Sequence, residues 1–179
     1  TESKGLDLVL THDAYFGDNA KLKTDLAATF SKTKRVGDVN ASQVLIDAGK
    51  VGTYFDEASR VYLEEAVPST KINLSHSLTT DKFNVFLRNV YFGEVTEATN
   101  NVTRQQVFGT KVVTDLSFGY KATKSLTITV GAINLLDVEP DSVVITLGAM
   151  KFDPTTNAEP HAPLYLRLDI EEQSEKYKR

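Results

Sequence analysis

The feature that most constrains this chain is an alternation of apolar and polar residues that recurs along most of its length. The clearest run is Lys111–Lys121, where one alternating set is mainly apolar and the other mainly polar: Val112, Thr114, Leu116, Phe118 and Tyr120 against Lys111, Val113, Asp115, Ser117 and Gly119. Successive side chains of a β-strand point to opposite faces, so this pattern predicts strands with one apolar face. Helical periodicity is weak by comparison.

Short polar stretches divide these runs into hairpins. The two clearest predicted hairpins pair Ser69–Thr79 with Phe83–Val95, and Lys111–Lys121 with a strand that begins near Leu126. Two earlier runs, at residues 5–15 and 21–34, alternate in the same way and flank a predicted turn. The sequence therefore predicts an all-β fold, an antiparallel up-and-down meander of about seven or eight strands. Such a meander is expected to be part of a transmembrane-type β-barrel, or a small barrel of that type.

Two longer polar segments interrupt the predicted strands. Arg35–Ser59 is expected to be a long loop with a short helix near Ser42–Ala48, and Thr96–Gln106 is expected to be a second loop. Arg60–Glu65 is expected to leave the first loop as a short strand. Loops of this length often carry binding functions, so both are interpreted either as ligand-capturing loops or as ordinary surface loops.

The last part of the sequence holds two further predicted strands. These are Ser142–Phe152 and Pro163–Ile170, with a turn at Asp153–Asn157 between them and a charged, frayed tail after them. If the meander closes as a small barrel, its first strand near Leu6–Leu10 is expected to pair with its last near Leu164–Ile170.

Composition excludes several classes of protein. The sequence has no cysteine, which removes disulfides, thiolate zinc sites and cysteine nucleophiles. Its formal net charge of -4 gives no electrostatic reason to bind nucleic acid. It contains no nucleophile–base pair, metal-ligand cluster or cofactor fingerprint, so we expect neither an enzyme nor a metal or cofactor site. The sequence lacks the long apolar run of a transmembrane helix, and its first residues lack a signal peptide, as expected for a mature chain or a fragment.

One segment carries a family resemblance. Leu126–Asp141 reads Leu-Thr-Ile-Thr-Val-Gly-Ala-Ile-Asn-Leu-Leu-Asp-Val-Glu-Pro-Asp, an alternating strand followed by a polar motif. It resembles the late-barrel element of TonB-dependent outer-membrane receptors, and the matching positions are Gly131, Asn134, Leu135, Leu136, Asp137, Pro140 and Asp141. Stretches at residues 23–31, 68–95 and 111–120 are similar to other strands of that family and follow in its order. The resemblance covers about residues 5–141, and residues 142–179 depart from it.

The resemblance implies a C-terminal barrel segment of an outer-membrane receptor that takes up a siderophore, a vitamin, a glycan or a peptide. Residues 1–179 are then one barrel domain or barrel fragment without a plug domain. The implied partners are outer-membrane lipid, the solute, and the TonB energy-coupling complex reached through a plug. The implied location is the bacterial outer membrane. The alternative function is a soluble binding module without transport activity, built as a closed β-barrel or a β-sandwich.

Six charged residues lie at the polar positions of neighbouring predicted strands. They are Lys23, Asp25, Lys71, Arg88, Lys111 and Asp115. One interpretation makes them a charged lumen wall that contacts the plug or the solute. The other makes them cross-strand ion pairs on a solvated sheet face. His12 and His76 fall at apolar positions and are interpreted as strand-end residues rather than as ligands to a metal.

Overall fold

The computed structural model describes residues 1–141 and the backbone of the strands at 145–147, 150–152 and 164–170. Its main element is a seven-stranded antiparallel sheet in the order β1-β2-β3-β4-β7-β8-β11. These strands are β1 Glu2–Phe16, β2 Ala20–Lys34, β3 Thr70–Thr80, β4 Phe83–Phe92, β7 Lys111–Lys121, β8 Leu126–Ala132 and β11 Leu164–Ile170. The predicted antiparallel meander is confirmed, and the predicted bounds of β7 are matched at both ends.

The connections between these strands differ sharply between the two ends of the sheet. At one end, here called the short-turn end, the strands are joined by residues 17–19, 81–82 and 122–125. Gly17 supplies the positive φ of 64° that the first of these turns requires. At the opposite end, the long-connection end, the strands are joined by residues 35–69, 93–110 and 133–163. Short and long connections therefore alternate along the chain, as predicted.

The first long connection is more helical than the sequence indicates. It contains α1 Gln43–Asp47, which confirms the predicted short helix, then α2 Val51–Tyr54 and α3 Glu57–Glu64. The prediction of a strand at Arg60–Glu65 is wrong, because this stretch lies largely in α3. The Asp56 carboxylate caps α3 by accepting a hydrogen bond from the Ser59 amide at 2.8 Å, and this cap fixes a helical first turn.

The other two long connections carry small hairpins. Strand β5 Val95–Thr96 pairs with β6 Val107–Phe108, and a 3-10 turn at Val102–Arg104 lies between them. The predicted second loop, Thr96–Gln106, covers the segment that joins these two strands. Strands β9 Ile145–Leu147 and β10 Met150–Phe152 pair with each other, so the single run predicted at Ser142–Phe152 is two short strands. The turn predicted at Asp153–Asn157 and the charged tail after it lie outside the described residues.

The register places many apolar residues of neighbouring strands opposite one another and so builds one mainly apolar face. Leu26 of β2, for example, lies between Leu10 of β1 and Leu74 of β3. Val85 of β4 likewise lies opposite Phe118 of β7. Side chains that share a register row point to the same face of a sheet, so the alternation seen in each strand becomes a property of the whole sheet.

Much of this apolar face is exposed. Leu10 is 53% exposed, Phe118 is 46% exposed and Val130 is 47% exposed. Within residues 1–141 the largest side chain that is fully buried is Val61, which belongs to α3 in the first long connection and not to a strand of the sheet. Over the described residues, the sheet therefore leaves much of its apolar face uncovered, which is unusual for a monomeric soluble domain.

The sheet does not close into a small barrel, so the expected pairing of Leu6–Leu10 with Leu164–Ile170 is not formed. Strands β1 and β11 are instead its two edges. The strand count also disfavours an all-antiparallel closure. In an antiparallel meander of seven strands the first and the last run in the same direction, so joining them would require a parallel pair.

Gly93 occupies the point where the end of β4 meets the start of β3. Its amide donates to the Thr70 carbonyl at 2.8 Å, and a Cβ atom added here would lie 3.1 Å from that same backbone oxygen. A Cβ at this distance is tight, so a side chain here requires the Thr70 backbone to shift by a few tenths of an ångström.

Substituting Gly93 by alanine should lower the free energy of unfolding by about 1–2 kcal/mol, because the added methyl group has to displace a backbone neighbour. The matched control is Gly52→Ala in α2, where an added Cβ meets nothing within 4 Å. That control should raise the stability by up to about 1 kcal/mol, because alanine favours helix over glycine. Denaturant titration of both variants measures the two effects, and equal effects would contradict this packing.

Among the described residues, no helix is long and apolar enough to cross a membrane.

Candidate functional site

The six predicted site residues lie on one face of the sheet, here called the polar face. One register row runs across it from Asp25 of β2 through Ser75 of β3 to Arg88 of β4 and Asp115 of β7. Lys71 and Lys111 both lie opposite Phe92 of β4. Phe92 follows Arg88 by four residues, toward the long-connection end. The sequence therefore assigned these residues to a common face correctly, although they do not converge on one point.

These charged groups are mostly engaged by near neighbours. Lys23 Nζ lies 3.1 Å from Asp25 Oδ2, and Thr11 donates to the other oxygen of Asp25 at 2.7 Å. Lys71 Nζ lies 5.2 Å from the centre of the Phe92 ring, a cation–π contact. Such pairs on half-exposed groups are weak. This arrangement is compatible both with the ion-pair interpretation and with a lumen wall.

Asp115 is the exception, because it is only 6% exposed. Its carboxylate accepts a hydrogen bond from Arg88 Nε at 2.7 Å and a second contact from Arg88 Nη2. Its other oxygen accepts the backbone N–H of Asn134 at 2.9 Å. A buried carboxylate needs such donors. Asp115 therefore fixes both the Arg88 side chain and the chain that leaves β8.

The Asn-Leu-Leu-Asp motif after β8 is a tight turn built around Asn134. This residue has a positive φ of 54°, a conformation that asparagine tolerates better than most residues. Its side chain accepts from the Val138 amide at 2.9 Å and donates to the Val138 carbonyl at 3.1 Å. The Leu135 amide donates to the Thr114 carbonyl at 2.6 Å. The motif thus turns the chain back against β7.

The first two long connections are held together by polar contacts. Asn100 accepts from the Ala58 amide and donates to Asp56, both at 2.9 Å. The Thr96 amide donates to the Glu65 carbonyl at 2.9 Å. Within α3, Arg60 pairs with three carboxylates, and its hydrogen bonds lower the pKa of Glu57. The first two long connections are therefore tied to each other and are not independent loops.

A cleft of about 360 Å³ opens at this end, on the side of the polar face. Its apolar walls come from four separate segments: Pro68 before β3, Phe92 at the end of β4, Val95 and Phe108 of the small hairpin, and Pro140 after β8. Its charged groups are Lys111 and Asp141. Concave sites with apolar walls and a few polar groups are typical of small-molecule binding. We call this site the Phe108 cleft.

The two charged groups of the Phe108 cleft neutralise each other. Lys111 Nζ lies 2.5 Å from Asp141 Oδ1, and the Gly109 amide donates to Asp141 Oδ2 at 2.7 Å. These hydrogen bonds, that of Lys111 first, lower the pKa of Asp141 below its usual value of 3.8. The carboxylate therefore stays ionised at neutral pH and ties the chain after β8 to the start of β7.

Acidification should release this contact only in strongly acidic solution. The stability that the ionised Asp141 contributes is present above its usual pKa of 3.8 and is lost as the pH falls through the lower folded value. The amide proton of Gly109 reports the change, since it is bonded to this carboxylate. Its NMR shift should titrate with a midpoint below 3.8 in the native chain, and Asp141→Asn should abolish that titration. A midpoint at or above 3.8 would contradict the contact.

The two histidines on the apolar face lie inside strands rather than at strand ends. Both His12 and His76 face Thr24, and His76 Nδ1 lies 3.0 Å from Thr24 Oγ1. In the part of the chain that the structure describes, no three His, Cys, Asp or Glu residues are grouped so that they could hold a metal ion.

The Phe108 cleft was missed by sequence analysis because its walls come from distant segments. The predicted loop at Thr96–Gln106 belongs to the connection that contributes Val95 and Phe108 to the cleft. Lys111 was picked as a candidate, and Pro140 and Asp141 were recognised as motif residues, but none of these was linked to the others.

Comparison with known proteins identifies no relative: no family model, no curated protein and no solved structure matches this chain.

Proposed function

We propose that this chain forms part of the barrel wall of a TonB-dependent outer-membrane receptor, toward the C-terminal end of that barrel. The observation that carries the proposal is the asymmetry of the sheet. Three turns of two to four residues join the strands at one end, and three connections of 18 or more residues join them at the other. Outer-membrane barrels have short periplasmic turns and longer extracellular loops, so this asymmetry fits a barrel wall.

The apolar face supports the same proposal. Five of the seven strands, β1, β2, β3, β4 and β7, contain 15, 15, 11, 10 and 11 residues, and β8 and β11 contain seven each. A tilted strand needs about 9–11 residues to cross the hydrocarbon layer of a membrane. Lipid would cover the exposed leucine, valine and phenylalanine side chains of this face, and the polar face would line the lumen.

The two free edges of the sheet support a segment of a larger barrel rather than a complete one. Unpaired edges promote aggregation unless other strands or covering elements protect them. All-antiparallel closure requires an even number of strands, and the sheet has seven. In our proposal an odd number of further strands, supplied by the rest of the receptor, completes the wall.

The resemblance of residues 5–141 to the receptor family supplies the biological role in this proposal. The long connections face the outside and meet the solute, which is a siderophore, a vitamin, a glycan or a peptide. The polar face contacts a plug domain, and the plug couples the barrel to the TonB energy-coupling complex. The charged row from Asp25 to Asp115 is then part of the lumen wall.

Size-exclusion chromatography and far-UV circular dichroism, each with and without detergent, test the proposal. We expect the chain to aggregate in buffer, because its apolar face is uncovered, and to form a strand-rich species in detergent or lipid, which covers that face. A monomeric, strand-rich species in buffer would contradict the barrel wall. It would support a soluble binding module in which a second sheet covers the apolar face, as in a β-sandwich.

A further inference from the structure

The walls of the Phe108 cleft indicate the chemical class of the solute. The cleft lies where three long connections meet, beside the polar face, so in the proposed receptor it faces incoming solute. Its volume of about 360 Å³ is at the lower end of the range for small-molecule sites. What it binds is decided by the chemistry of its walls.

The walls are held in place without a ligand. The Gly93 amide is bonded to the Thr70 carbonyl at 2.8 Å, and β5 and β6 pair with each other. The Gly109 amide is bonded to Asp141 at 2.7 Å. These contacts fix the start of β3, the residue after β4, the small hairpin and the chain after β8. Binding a ligand would therefore cost the protein little conformational entropy.

The apolar walls favour a ring. Phe92 and Phe108 present aromatic surface, and Pro68, Val95 and Pro140 add aliphatic surface. Aromatic side chains bind flat apolar groups by stacked or edge-to-face contacts. An entirely hydrophilic solute would leave these walls without matching contacts.

The charge in the cleft disfavours an ionic ligand. Lys111 and Asp141 form a pair whose formal charges cancel, with side chains that are only 32% and 36% exposed. An anion would compete with Asp141 for Lys111, and a cation would compete with Lys111 for Asp141. Breaking the pair leaves one charge with only water as its partner, which has a small cost at this exposure. A hydroxyl group, in contrast, donates to Asp141 or accepts from Lys111 while the pair stays intact.

We propose that the Phe108 cleft binds an uncharged molecule that carries an apolar ring beside one or more hydroxyl groups. This proposal deepens the proposed function, since it names the class of solute that the receptor segment recognises.

Titration of the full chain, labelled with [15N]glycine, tests this inference. Gly93 and Gly109 line the cleft, and Gly119 in β7 serves as a control. The probes are phenyl β-D-glucoside, which is neutral, phenylacetate, which is an anion, and phenethylamine, which is a cation. The medium is buffer or lipid nanodiscs, whichever the chromatography shows to hold the folded chain. A cleft that binds no probe and a chain that does not need lipid are therefore separate outcomes.

We expect phenyl β-D-glucoside to shift the amide signals of Gly93 and Gly109 in a saturable way and to leave Gly119 unchanged. The two charged probes should bind about threefold to fivefold more weakly. Val95→Trp, which fills the cleft, and Phe108→Arg, which adds an unpaired charge, should each remove the shift of Gly93. The inference is overturned if neither glycine shifts, if a charged probe binds equally well, or if both variants still respond.

Discussion

Replacing Leu74 by arginine should destabilise the folded chain in lipid by about 2–4 kcal/mol, the largest effect that we expect from a single surface position. Leu74 lies near the middle of β3 on the apolar face, between Leu26 of β2 and Asn89 of β4. In the barrel wall its side chain meets the hydrocarbon layer, where a guanidinium group loses its hydration. Urea titration of the chain folded into lipid vesicles measures the change.

The matched control is the next residue. Ser75 lies on the opposite face of β3, opposite Arg88, so Ser75→Arg adds the same charge on the lumen side. We expect this variant to lose about 1 kcal/mol or less, because water solvates the new side chain there. Equal losses for Leu74→Arg and Ser75→Arg would show that the two faces of the sheet do not differ in their surroundings.

Truncating Asp115 to alanine should cost about 2–3 kcal/mol, because three donors lose their acceptor at once. The affected groups are two nitrogen atoms of Arg88 and the backbone amide of Asn134. The Arg88 side chain is 42% exposed and regains some hydration, which keeps the loss below that of a fully buried pair. Denaturant titration measures the loss, and the Asn134 amide should exchange faster with solvent.

Asp25→Ala is the control for this second variant, because Asp25 lies in the same register row of the polar face. Its partner Lys23 and its own side chain are 46% and 37% exposed. We therefore expect a loss of no more than about 1 kcal/mol. If Asp115→Ala were as mild as Asp25→Ala, the tie between β7 and the turn at Asn134 would not contribute to stability.

The strands could be predicted from sequence because a single physical rule determines them. A segment that is apolar at every second residue places its apolar side chains on one face only when the chain is extended. The run at Lys111–Lys121 is therefore recognisable as a strand without any tertiary information. The same rule placed Arg88 and Asp115 on the polar side. The end of β4 was predicted three residues too late, at Val95, which lies in the short strand β5 instead.

Helix α3 was predicted as a strand for an identifiable reason. The residues Arg-Val-Tyr-Leu at 60–63 include strand-favouring side chains, but tertiary packing and capping outweigh propensity in a segment this short. The available signal was local: Asp56 precedes the helix as an N-cap, and Arg60 is spaced three and four residues from Glu57 and Glu64. Reading that spacing would have indicated a helix.

The candidate site could not be predicted, because it depends on the register of the strands. Phe92, Phe108 and Pro140 meet only because the register of β4 and β7 brings three connections together. The strand count, in contrast, carries some information about closure, since an odd antiparallel meander has edges that run in the same direction and cannot join as an antiparallel pair.

The most direct test of the barrel-wall proposal is a spin-label scan of residues 74–78 in β3. The sequence contains no cysteine, so each single-cysteine variant carries one label. In lipid vesicles we expect labels at Leu74, His76 and Leu78 to be accessible to oxygen, which concentrates in the hydrocarbon layer. Labels at Ser75 and Ser77 should be accessible instead to a water-soluble nickel complex. A scan without this alternation, or one in which the leucine positions contact water or packed protein, would contradict a wall that faces lipid.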